Sequence, residues 1–368
     1  MNADLSTAGT RGTAGTRGTA GMLSVQHWEE LVGLGLESGL VGVGSCSART
    51  WSSNRSRIEA CSAKGLARDM EFTYRSPARS TEPQRVLKNA ASLIVGALPY
   101  PPPVEFLETA DMAPTGRVAA YATDVHYQHL REILGAISNR LKEFGYRSTV
   151  VLDSNAVLDK EAAYRAGLGW YGRNSLLLNR HVGSWCVLGS VVTDALIPQL
   201  SVPVPDGCGG CRRCVPACPT GALAGDGTVD ANKCLSWLLQ ARGEFPPEFR
   251  EALGTRMYGC DDCQVACPPS TVSIRRGHLG APLLIEPLSL IDILDMSDDQ
   301  LLTQFGDWYI ADRDPDLIRR NALIGLGNSA SEAQEIPVTL HRYRNGPDAL
   351  LAEHARWAIE QRRSRGSA

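Results

Sequence analysis

The arrangement of cysteines constrains this chain more than any other feature of its sequence. Eight of its eleven cysteines lie between residues 208 and 267. The first four have the spacing C-x2-C-x2-C-x3-C and are followed by a proline; they are Cys208, Cys211, Cys214 and Cys218. Bacterial ferredoxins hold 4Fe–4S clusters with this run, in which the fourth cysteine serves the other cluster. The run therefore predicts a ferredoxin-like iron–sulfur module.

A second, shorter run supplies the remaining ligands. Cys260, Cys263 and Cys267 have the spacing C-x2-C-x3-C and are followed by Pro268. With these three, Cys234 completes a set of eight thiolates for two 4Fe–4S clusters. By analogy with two-cluster ferredoxins, one cluster takes Cys208, Cys211, Cys214 and Cys267, and the other takes Cys218, Cys234, Cys260 and Cys263. Structural zinc is the alternative, because C-x2-C pairs also suit tetrahedral zinc, but zinc sites rarely use the complete run.

The remaining composition limits where the chain works and what it binds. Cys46, Cys61 and Cys186 stand alone and are predicted to be small, buried, apolar residues. A formal net charge of −3 provides no global basic field, so any contact with nucleic acid needs a local patch. No apolar run approaches the ~20 residues that span a bilayer. Because an export signal is also missing, we expect a soluble, cytoplasmic protein with no membrane partner.

Four segments are predicted along the chain. Residues 7–21 repeat the unit TAGTRG. Residues 1–21 are predicted to be a disordered, low-complexity leader, with Met22 as a candidate start. Residues 22–200 are predicted to be an α/β core, because helical and strand patterns alternate. Residues 201–270 are the two-cluster domain, and residues 271–368 are predicted to be all-helical. Since a ferredoxin needs only roughly 60 residues, the clusters are expected to serve a site in the core.

Individual elements of this core follow from hydrophobic periodicity. From His126 to Phe144, apolar residues recur every three or four positions, which predicts an amphipathic helix. Ser148 to Leu152 follows as a strand. The other predicted elements are strands over 41–45, 92–98 and 184–193, and helices over 23–40, 160–166, 283–302, 316–326 and 349–361.

Several longer motifs resemble the epoxyqueuosine reductase family. They are VLDS at 151–154, AGLGWYGRNS at 166–175, GSW at 183–185, PTGA at 219–222, KCLS at 233–236 and YGCDDCQ at 258–264. The likeness covers the chain from residue 23 to about residue 327. It implies a nitroreductase-like core and a HEAT-like C-terminal segment. It also implies a cobalamin-dependent enzyme that reduces the epoxide of epoxyqueuosine, at the wobble position of certain tRNAs, to queuosine.

The resemblance implies roles for particular residues. Asp153 matches the family's aspartate at the end of a strand and is the predicted proton donor, as well as a cobalamin contact. Desolvation at such a position raises a carboxyl pKa toward neutrality. An ordinary aspartate that caps the next helix is the alternative. The other predicted cobalamin contacts are Leu188, Ser236, Arg242, Asp261 and Arg79, with core packing or a solvated surface as their alternatives.

Two further features of these motifs bear on the site. Gly167, Gly169 and Gly172 would permit close approach of the backbone to a large flat ligand, although Gly167 also suits a helix end. Arg173 stands where relatives usually have lysine. The family's DYH triplet is absent, because His126-Tyr127-Gln128 occupies that region, so a polar contact assigned there is not carried over.

The predicted partners are a tRNA anticodon stem-loop and a low-potential electron donor such as flavodoxin or ferredoxin. Arg313, Arg319 and Arg320 precede a stretch that looks like part of a HEAT repeat. Residues 337–368 contain six arginines against three acidic residues, a surplus that suits phosphate contacts. A charged, solvated helix is the alternative. We expect a monomer.

Three rival functions remain open from the sequence. A reductive dehalogenase also pairs cobalamin with two 4Fe–4S clusters, but it usually has an export signal and a tyrosine donor. An electron-transfer protein without catalysis would need only the cysteine module. An RNA-binding iron–sulfur protein would bind tRNA without cobalamin.

Overall fold

The computed structural model describes residues 21–102, 112–279 and 288–366. The predicted leader, apart from Gly21, and part of the helix predicted over 283–302 lie outside the described residues. The carbonyl of Gly21 accepts a hydrogen bond from the Leu196 N–H at 2.9 Å. Gly21 therefore already belongs to the folded core that was predicted to begin at residue 22.

Helices and strands alternate through the N-terminal part. Their order is α1 (Val25–Glu37), β1 (Gly42–Ser47), α2 (Ser52–Ala63), α3 (Pro77–Thr81), β2 (Ser92–Pro99), β3 (Thr115–Val118), α4 (His126–Glu143), β4 (Ser148–Leu152), α5 (Asp159–Arg165), β5 (Trp170–Tyr171), β6 (Leu177–Leu178) and β7 (Cys186–Thr193). The predicted elements at α4, β4 and β2 are confirmed nearly residue for residue. Helix α2 was missed, because none of its residues is buried and its sequence has no apolar stripe.

Four of these strands form one sheet. Their order is β1-β2-β7-β4, and each neighbouring pair is antiparallel. The predicted mixture of helix and sheet is confirmed. However, the alternation along the chain does not produce the parallel pairing that usually accompanies it. Sequence periodicity records which face of a strand is buried, and it carries no information on the direction of the neighbouring strand.

Helices cover both faces of this sheet. Successive side chains of a strand point to opposite faces, so Ile94 of β2 packs with Leu130 and Leu134 of α4. On the other face, Leu93 packs with the group that includes Ala162 of α5. Because both faces are covered, β2 is apolar over most of its length rather than alternating. The strand β4 is at the edge of the sheet.

The cluster module and the C-terminal helices follow. They are α6 (Cys214–Ala217), α7 (Leu235–Leu238), α8 (Pro247–Leu253), β8 (Arg256–Tyr258), α9 (Asp262–Val265), α10 (Pro268–Arg275), β9 (Leu288–Ser289), α11 (Leu290–Asp295), α12 (Asp298–Gln304), α13 (Asp316–Asn328), α14 (Glu335–Arg344) and α15 (Ala349–Gly366). Strands β8 and β9 both pair with β3, which ties the C-terminal part to the core. The segment predicted to be all-helical therefore contains one short strand.

The C-terminal helices have a core of their own. Ala322 and Leu323 of α13 pack with Ala355 and Ala358 of α15 in one buried cluster. Helix α14 was missed in the sequence because its apolar positions are few. In the part of the chain that the structure describes, no helix combines the length and the apolar character needed to cross a membrane.

Candidate functional site

The clustered cysteines separate into two groups, of which the first draws on both runs. Burial, with repulsion from the nearby thiols of Cys208 and Cys214, raises the pKa of Cys267 to about 11. Burial also raises the pKa of Cys214, and Cys208 and Cys211 add to the rise. Because such repulsion needs proximity, the structure brings these four cysteines together.

The second group contains the other four cysteines. Burial raises the pKa of Cys263 well above its ordinary value, and repulsion from Cys260, Cys234 and Cys218 contributes. Burial raises the pKa of Cys260 to about 12, again with a contribution from Cys234. These electrostatic contacts support the crossed sets, and the assignment of each cysteine to a particular cluster stays a prediction.

Backbone N–H groups are directed at several of these sulfurs. The Ala222 N–H donates to Cys218 Sγ at 3.3 Å. Burial raises the pKa of Cys234, and hydrogen bonds from the backbone of Trp237 and Ser236, at the start of α7, act against this rise. Donors of this kind favour the thiolate form that binds iron. Ser236 therefore lies beside the second group and serves it through its main chain.

Two buried N–H groups near the first cysteine group indicate whether a cluster would find hydrogen-bond donors there. Trp170 packs with Cys208 and Cys267. The Arg173 guanidinium donates to the carbonyls of Gly225 and Gly209, at 2.8 and 2.7 Å. Trp170 Nε1 and Arg173 Nε are buried and have no acceptor among the described residues. The sulfur atoms of a cluster accept hydrogen bonds, so the residues present fit a 4Fe–4S cluster.

The zinc alternative makes a different geometric demand. Tetrahedral zinc needs four ligands about 2.0–2.3 Å from one ion. Within the described ranges, no three or more His, Cys, Asp or Glu side chains form a group that could hold a metal ion.

Asp153 directly follows β4, and we term the surroundings of its carboxyl the acidic cleft. Its backbone has a φ of +44°, a left-handed conformation that is uncommon for residues other than glycine. The side chain is solvent-exposed. Desolvation by neighbouring protein nevertheless raises the pKa of Asp153, and the charge of Arg131 on α4 opposes the rise.

Other ionisable groups of this cleft were missed in the sequence. Burial raises the pKa of Tyr127, and the charges of Asp153 and Asp159 add to the rise. Burial also raises the pKa of Tyr258, with a smaller contribution from Asp153. Tyr127 and Tyr258 therefore lie near the Asp153 carboxyl from two separate elements, α4 and β8. The sequence around Tyr127 and Tyr258 does not indicate that both lie near Asp153, although Tyr258 belongs to the YGCDDCQ motif.

Asp159 is the second carboxyl of the cleft. Burial raises the pKa of Asp159 well above its ordinary value, and repulsion from Asp153 raises it further. Its Oδ1 atom is buried and has no hydrogen-bond donor within the described ranges. Asp159 is the first residue of α5 and lies six residues after Asp153 in the sequence. The sequence does not indicate that its Oδ1 atom is buried.

Lys160 joins this cleft to the second cysteine group. Its Nζ donates to the Ser175 carbonyl at 3.0 Å. Desolvation by the surrounding protein lowers the pKa of Lys160, and the nearby thiols of Cys234 and Cys263 act in the opposite direction. Because Lys160 directly follows Asp159 in α5, one short helix lies near both Asp153 and the second cysteine group.

The structure gives the predicted cobalamin contacts Asp261 and Arg242 protein partners. The Asp261 carboxylate accepts hydrogen bonds from the Ala120 N–H at 2.7 Å and from the Gln264 side chain at 2.9 Å. Burial raises the pKa of Asp261 to about 6. Arg242 is exposed and forms an ion pair with Asp312, in which Nη2 lies 2.8 Å from Oδ1.

Leu188 and Arg79 have different surroundings. Leu188 of β7 is 8% exposed and packs in the buried cluster beneath α5, so its side chain belongs to the core. Arg79 is exposed and lines a cavity of about 380 Å³ beside β4. The predicted set of cofactor contacts is therefore dispersed over several surfaces.

The glycines of the AGLGWYGRN motif serve the protein itself. A Cβ on Gly169 would lie 2.3 Å from the Leu178 carbonyl oxygen, and one on Gly172 would lie 2.4 Å from Asn174 Oδ1. Gly167 has a φ of +71° directly after the end of α5. The close approach that these glycines permit in the structure is to neighbouring protein atoms, and their approach to a flat ligand stays a prediction.

Two of the arginines considered for RNA have structural roles. Arg320 is fully buried and donates to the carbonyls of Leu238, Leu239, Ala241 and Gly243. Arg319 forms ion pairs with Asp298 and Asp316. Both are therefore unsuited to phosphate contacts, whereas Arg313 is exposed. The arginine pattern in the sequence could not distinguish these cases.

The isolated cysteines are only partly as predicted. Cys46 is buried, and burial raises the pKa of its thiol to about 12. Cys61 and Cys186 are half-buried. Cys186 contributes to the electrostatic surroundings of Tyr127, so it lies near the acidic cleft.

Comparison with known proteins adds the following relationships. Residues 207–270 match the family model of the 4Fe-4S double cluster binding domain. The chain is 34% identical over 298 residues to the epoxyqueuosine reductase of Lactococcus garvieae, covering 79% of this chain and 84% of the relative. The structure of epoxyqueuosine reductase from Streptococcus thermophilus superposes with a TM-score of 0.80, at 26% identity, over 92% of this chain and 90% of the other.

A further solved structure is an epoxyqueuosine reductase with an epoxyqueuosine-modified tRNA-Tyr stem loop. It has a TM-score of 0.78 and 27% identity, and the superposition covers 91% of this chain and 90% of that chain.

Proposed function

Since the chain belongs to the epoxyqueuosine reductase family, we propose that it reduces epoxyqueuosine to queuosine at the wobble position of tRNA. The reaction is a two-electron deoxygenation. Two electrons and two protons are consumed, a carbon–carbon double bond replaces the epoxide, and the oxygen leaves as water. The site must therefore deliver electrons and protons to one place.

A single observation carries this proposal. Helix α5 begins with Asp159, which lies near Asp153, and continues with Lys160, which lies near Cys234 and Cys263. A source of protons and the ligands of an electron carrier thus adjoin one cleft. A protein that only relayed electrons would have no need of two neighbouring carboxyls whose pKa values are raised by desolvation.

The electron carriers of the proposal are two 4Fe–4S clusters. The first is assigned to Cys208, Cys211, Cys214 and Cys267, and the second to Cys218, Cys234, Cys260 and Cys263. The grouping of the thiols and the buried N–H groups of Trp170 and Arg173 support this assignment. The second group is the one beside the cleft, so its cluster is the proposed donor to the reacting centre.

We propose cobalamin as the further cofactor, as the family resemblance implies. When bound, it supplies a low-valent cobalt that can deliver electrons to an epoxide carbon. The corrin carries amide side chains, and the unpartnered Oδ1 of Asp159 fits an amide donor. Asp159 and Tyr127 would hold the group from the cleft wall. Asp153, Leu188, Ser236, Arg242 and Asp261 stay predicted contacts.

Asp153 is the proposed proton donor. Partial desolvation raises its pKa, so a larger fraction of the carboxyl is protonated at a given pH than in water. Its exposure in the cleft lets the proton reach the epoxide oxygen, which needs it to leave as water. The left-handed backbone at Asp153 turns the chain between β4 and α5 and brings both carboxyls to the cleft.

The wider setting of the proposal follows from its substrate. A tRNA anticodon stem-loop is the expected nucleic-acid partner, and a flavodoxin or ferredoxin is the expected electron donor. We place the reaction in the cytoplasm and expect a monomer. Packing of α13 against α14 and α15 is compatible with a HEAT-like segment, and the flanked antiparallel sheet with a nitroreductase-like core.

The decisive experiment is anaerobic purification followed by cofactor analysis and turnover. About eight irons and one corrin per chain are expected for two cubanes and one cobalamin. The tRNA bearing epoxyqueuosine should then be converted to queuosine with a low-potential reductant. Iron–sulfur content and tRNA binding without cobalamin or turnover would instead indicate an RNA-binding protein. Cofactor loading with dehalogenation and no action on tRNA would favour the dehalogenase.

A further inference from the structure

Three arginines converge on a cavity at the edge of the central sheet. The cavity has a volume of about 380 Å³, and its polar rim contains Arg79, Arg85 and Arg131. They come from three separate segments: α3, the turn after it, and α4. All three are exposed. Such convergence of guanidinium groups from three segments favours binding of a phosphate-bearing ligand.

Most of the positive charge of these arginines is not balanced by ion pairs. Arg85 donates to Glu82, and Glu82 is shared with Arg55. Arg79 and Arg131 have neither an ion pair nor a side-chain hydrogen bond among the residues that the structure describes. The charge of Arg131 also acts on the Asp153 carboxyl. Two carboxyl groups, of which Glu82 is shared with Arg55, therefore stand against three guanidinium groups.

The walls of the cavity indicate the size and kind of ligand. Val86, Val150 and Ala156 supply apolar surface, and Thr149 supplies a hydroxyl. The volume is at the lower end of the range for ligand pockets, which suits one nucleotide rather than a helix. Strand β4 contributes its outer edge, and the main-chain groups of an edge strand are available to a ligand.

The position of the cavity relates it to the reaction. Leu152 and Ser154, which flank Asp153 in the chain, both line it. We propose that this cavity binds one nucleotide of the tRNA backbone next to the modified base, with its phosphate on Arg79 and Arg131. The inference rests on the proposed function, and it moves Arg79 from the predicted cobalamin contacts to the RNA. The phosphodiester of cobalamin has the same chemistry, so the experiment must separate the two.

The test measures binding of an unmodified anticodon stem-loop to the cluster-loaded full chain at several salt concentrations. Arg79→Ala and Arg131→Ala should each weaken binding about tenfold. Each should also reduce the slope of log affinity against log salt by about 0.7, the value for one phosphate of a single strand. Arg79→Lys should retain part of the affinity because it keeps the charge. Lys142→Ala removes an exposed cation from the same helix as Arg131 and should leave binding unchanged.

Iron content and thermal melting of each variant establish that it is folded and loaded, and cobalamin binding is titrated separately by absorbance. Unchanged stem-loop affinity in both alanine variants would overturn the proposal. So would weaker cobalamin binding with normal RNA binding, because the phosphodiester would then be the cofactor's. If the variants lose RNA affinity while the parent protein does not convert epoxyqueuosine, the cavity assignment stands and the proposed function fails.

Discussion

Asp261 and Ala120 connect the cluster module to the wall of the cleft. The Asp261 carboxylate accepts the Ala120 N–H at 2.7 Å, across 141 positions of sequence. Asp261 directly follows the predicted cluster ligand Cys260, and Ala120 precedes the helix that carries Tyr127. A buried hydrogen bond to a carboxyl group is strong and directional. This bond therefore helps to position the second cysteine group relative to the cleft.

The role of Asp153 can be tested by its pH dependence. Asp153→Asn should keep both clusters and abolish turnover, because the amide cannot release a proton. With Asp153 as donor, kcat should fall as pH rises through the pKa of Asp153. The cleft groups that face it are Arg131, Tyr127, Asp159 and Tyr258.

Arg131→Ala supplies the control on this assignment. The charge of Arg131 lowers the pKa of Asp153, so its removal should move the alkaline limb of kcat, measured at saturating tRNA, to higher pH. An unchanged limb in this variant, or full activity of Asp153→Asn, would remove Asp153 from the role of acid.

The crossed cysteine groups predict which substitutions are equivalent. Cys208→Ser and Cys267→Ser should perturb the same cluster and give matching electron paramagnetic resonance spectra, although the residues lie in different runs. Cys218→Ser should resemble Cys234→Ser instead. Iron should fall from about eight to about four per chain if the affected cluster is lost. Cys46→Ser is the control, because Cys46 lies in the core. Equivalence of Cys218 with Cys208 would contradict the crossing.

Trp170 should tune the potential of the first cluster. Its indole packs with Cys208 and Cys267, and the indole N–H is buried without an acceptor among the described residues. Donors to cluster sulfur stabilise the more negative, reduced state. Trp170→Phe should lower the midpoint potential by roughly 40 mV, the one-electron equivalent of about 1 kcal/mol for one hydrogen bond. Redox titration measures this shift. Trp51→Phe is a matched control, because Trp51 Nε1 is also buried and unpaired among the described residues but lies near no cluster ligand.

Arg320 should contribute to stability and not to RNA binding. Arg320→Met leaves several buried carbonyls without their donor, and we expect a loss of about 2–4 kcal/mol in the free energy of unfolding. Chemical denaturation of the loaded protein measures this. Arg313→Met, at an exposed position of the same segment, should change stability by less than about 0.5 kcal/mol. A stable Arg320→Met variant with a reduced salt slope for tRNA would reverse the assignment.

Much of the candidate site was predictable because its signals are local. The spacing of Cys208, Cys211, Cys214 and Cys218 is itself the geometry of a ligand loop, so neighbouring residues suffice to indicate the cluster. The α4 and β4 elements were predictable for the same reason, since amphipathic periodicity depends on one segment alone. Asp153 was identified through the motif at the end of β4.

Features that depend on contacts between distant segments could be determined only from the tertiary structure. The antiparallel sheet, the gathering of Tyr127, Tyr258 and Asp159 around Asp153, and the cavity of three arginines each join residues far apart in sequence. Burial likewise decided that Arg320 stabilises the fold while Arg79 lines a cavity. A sequence lists which side chains are present and how they repeat locally. Desolvation and charge proximity, which set the chemistry of those side chains, exist only after the chain has folded.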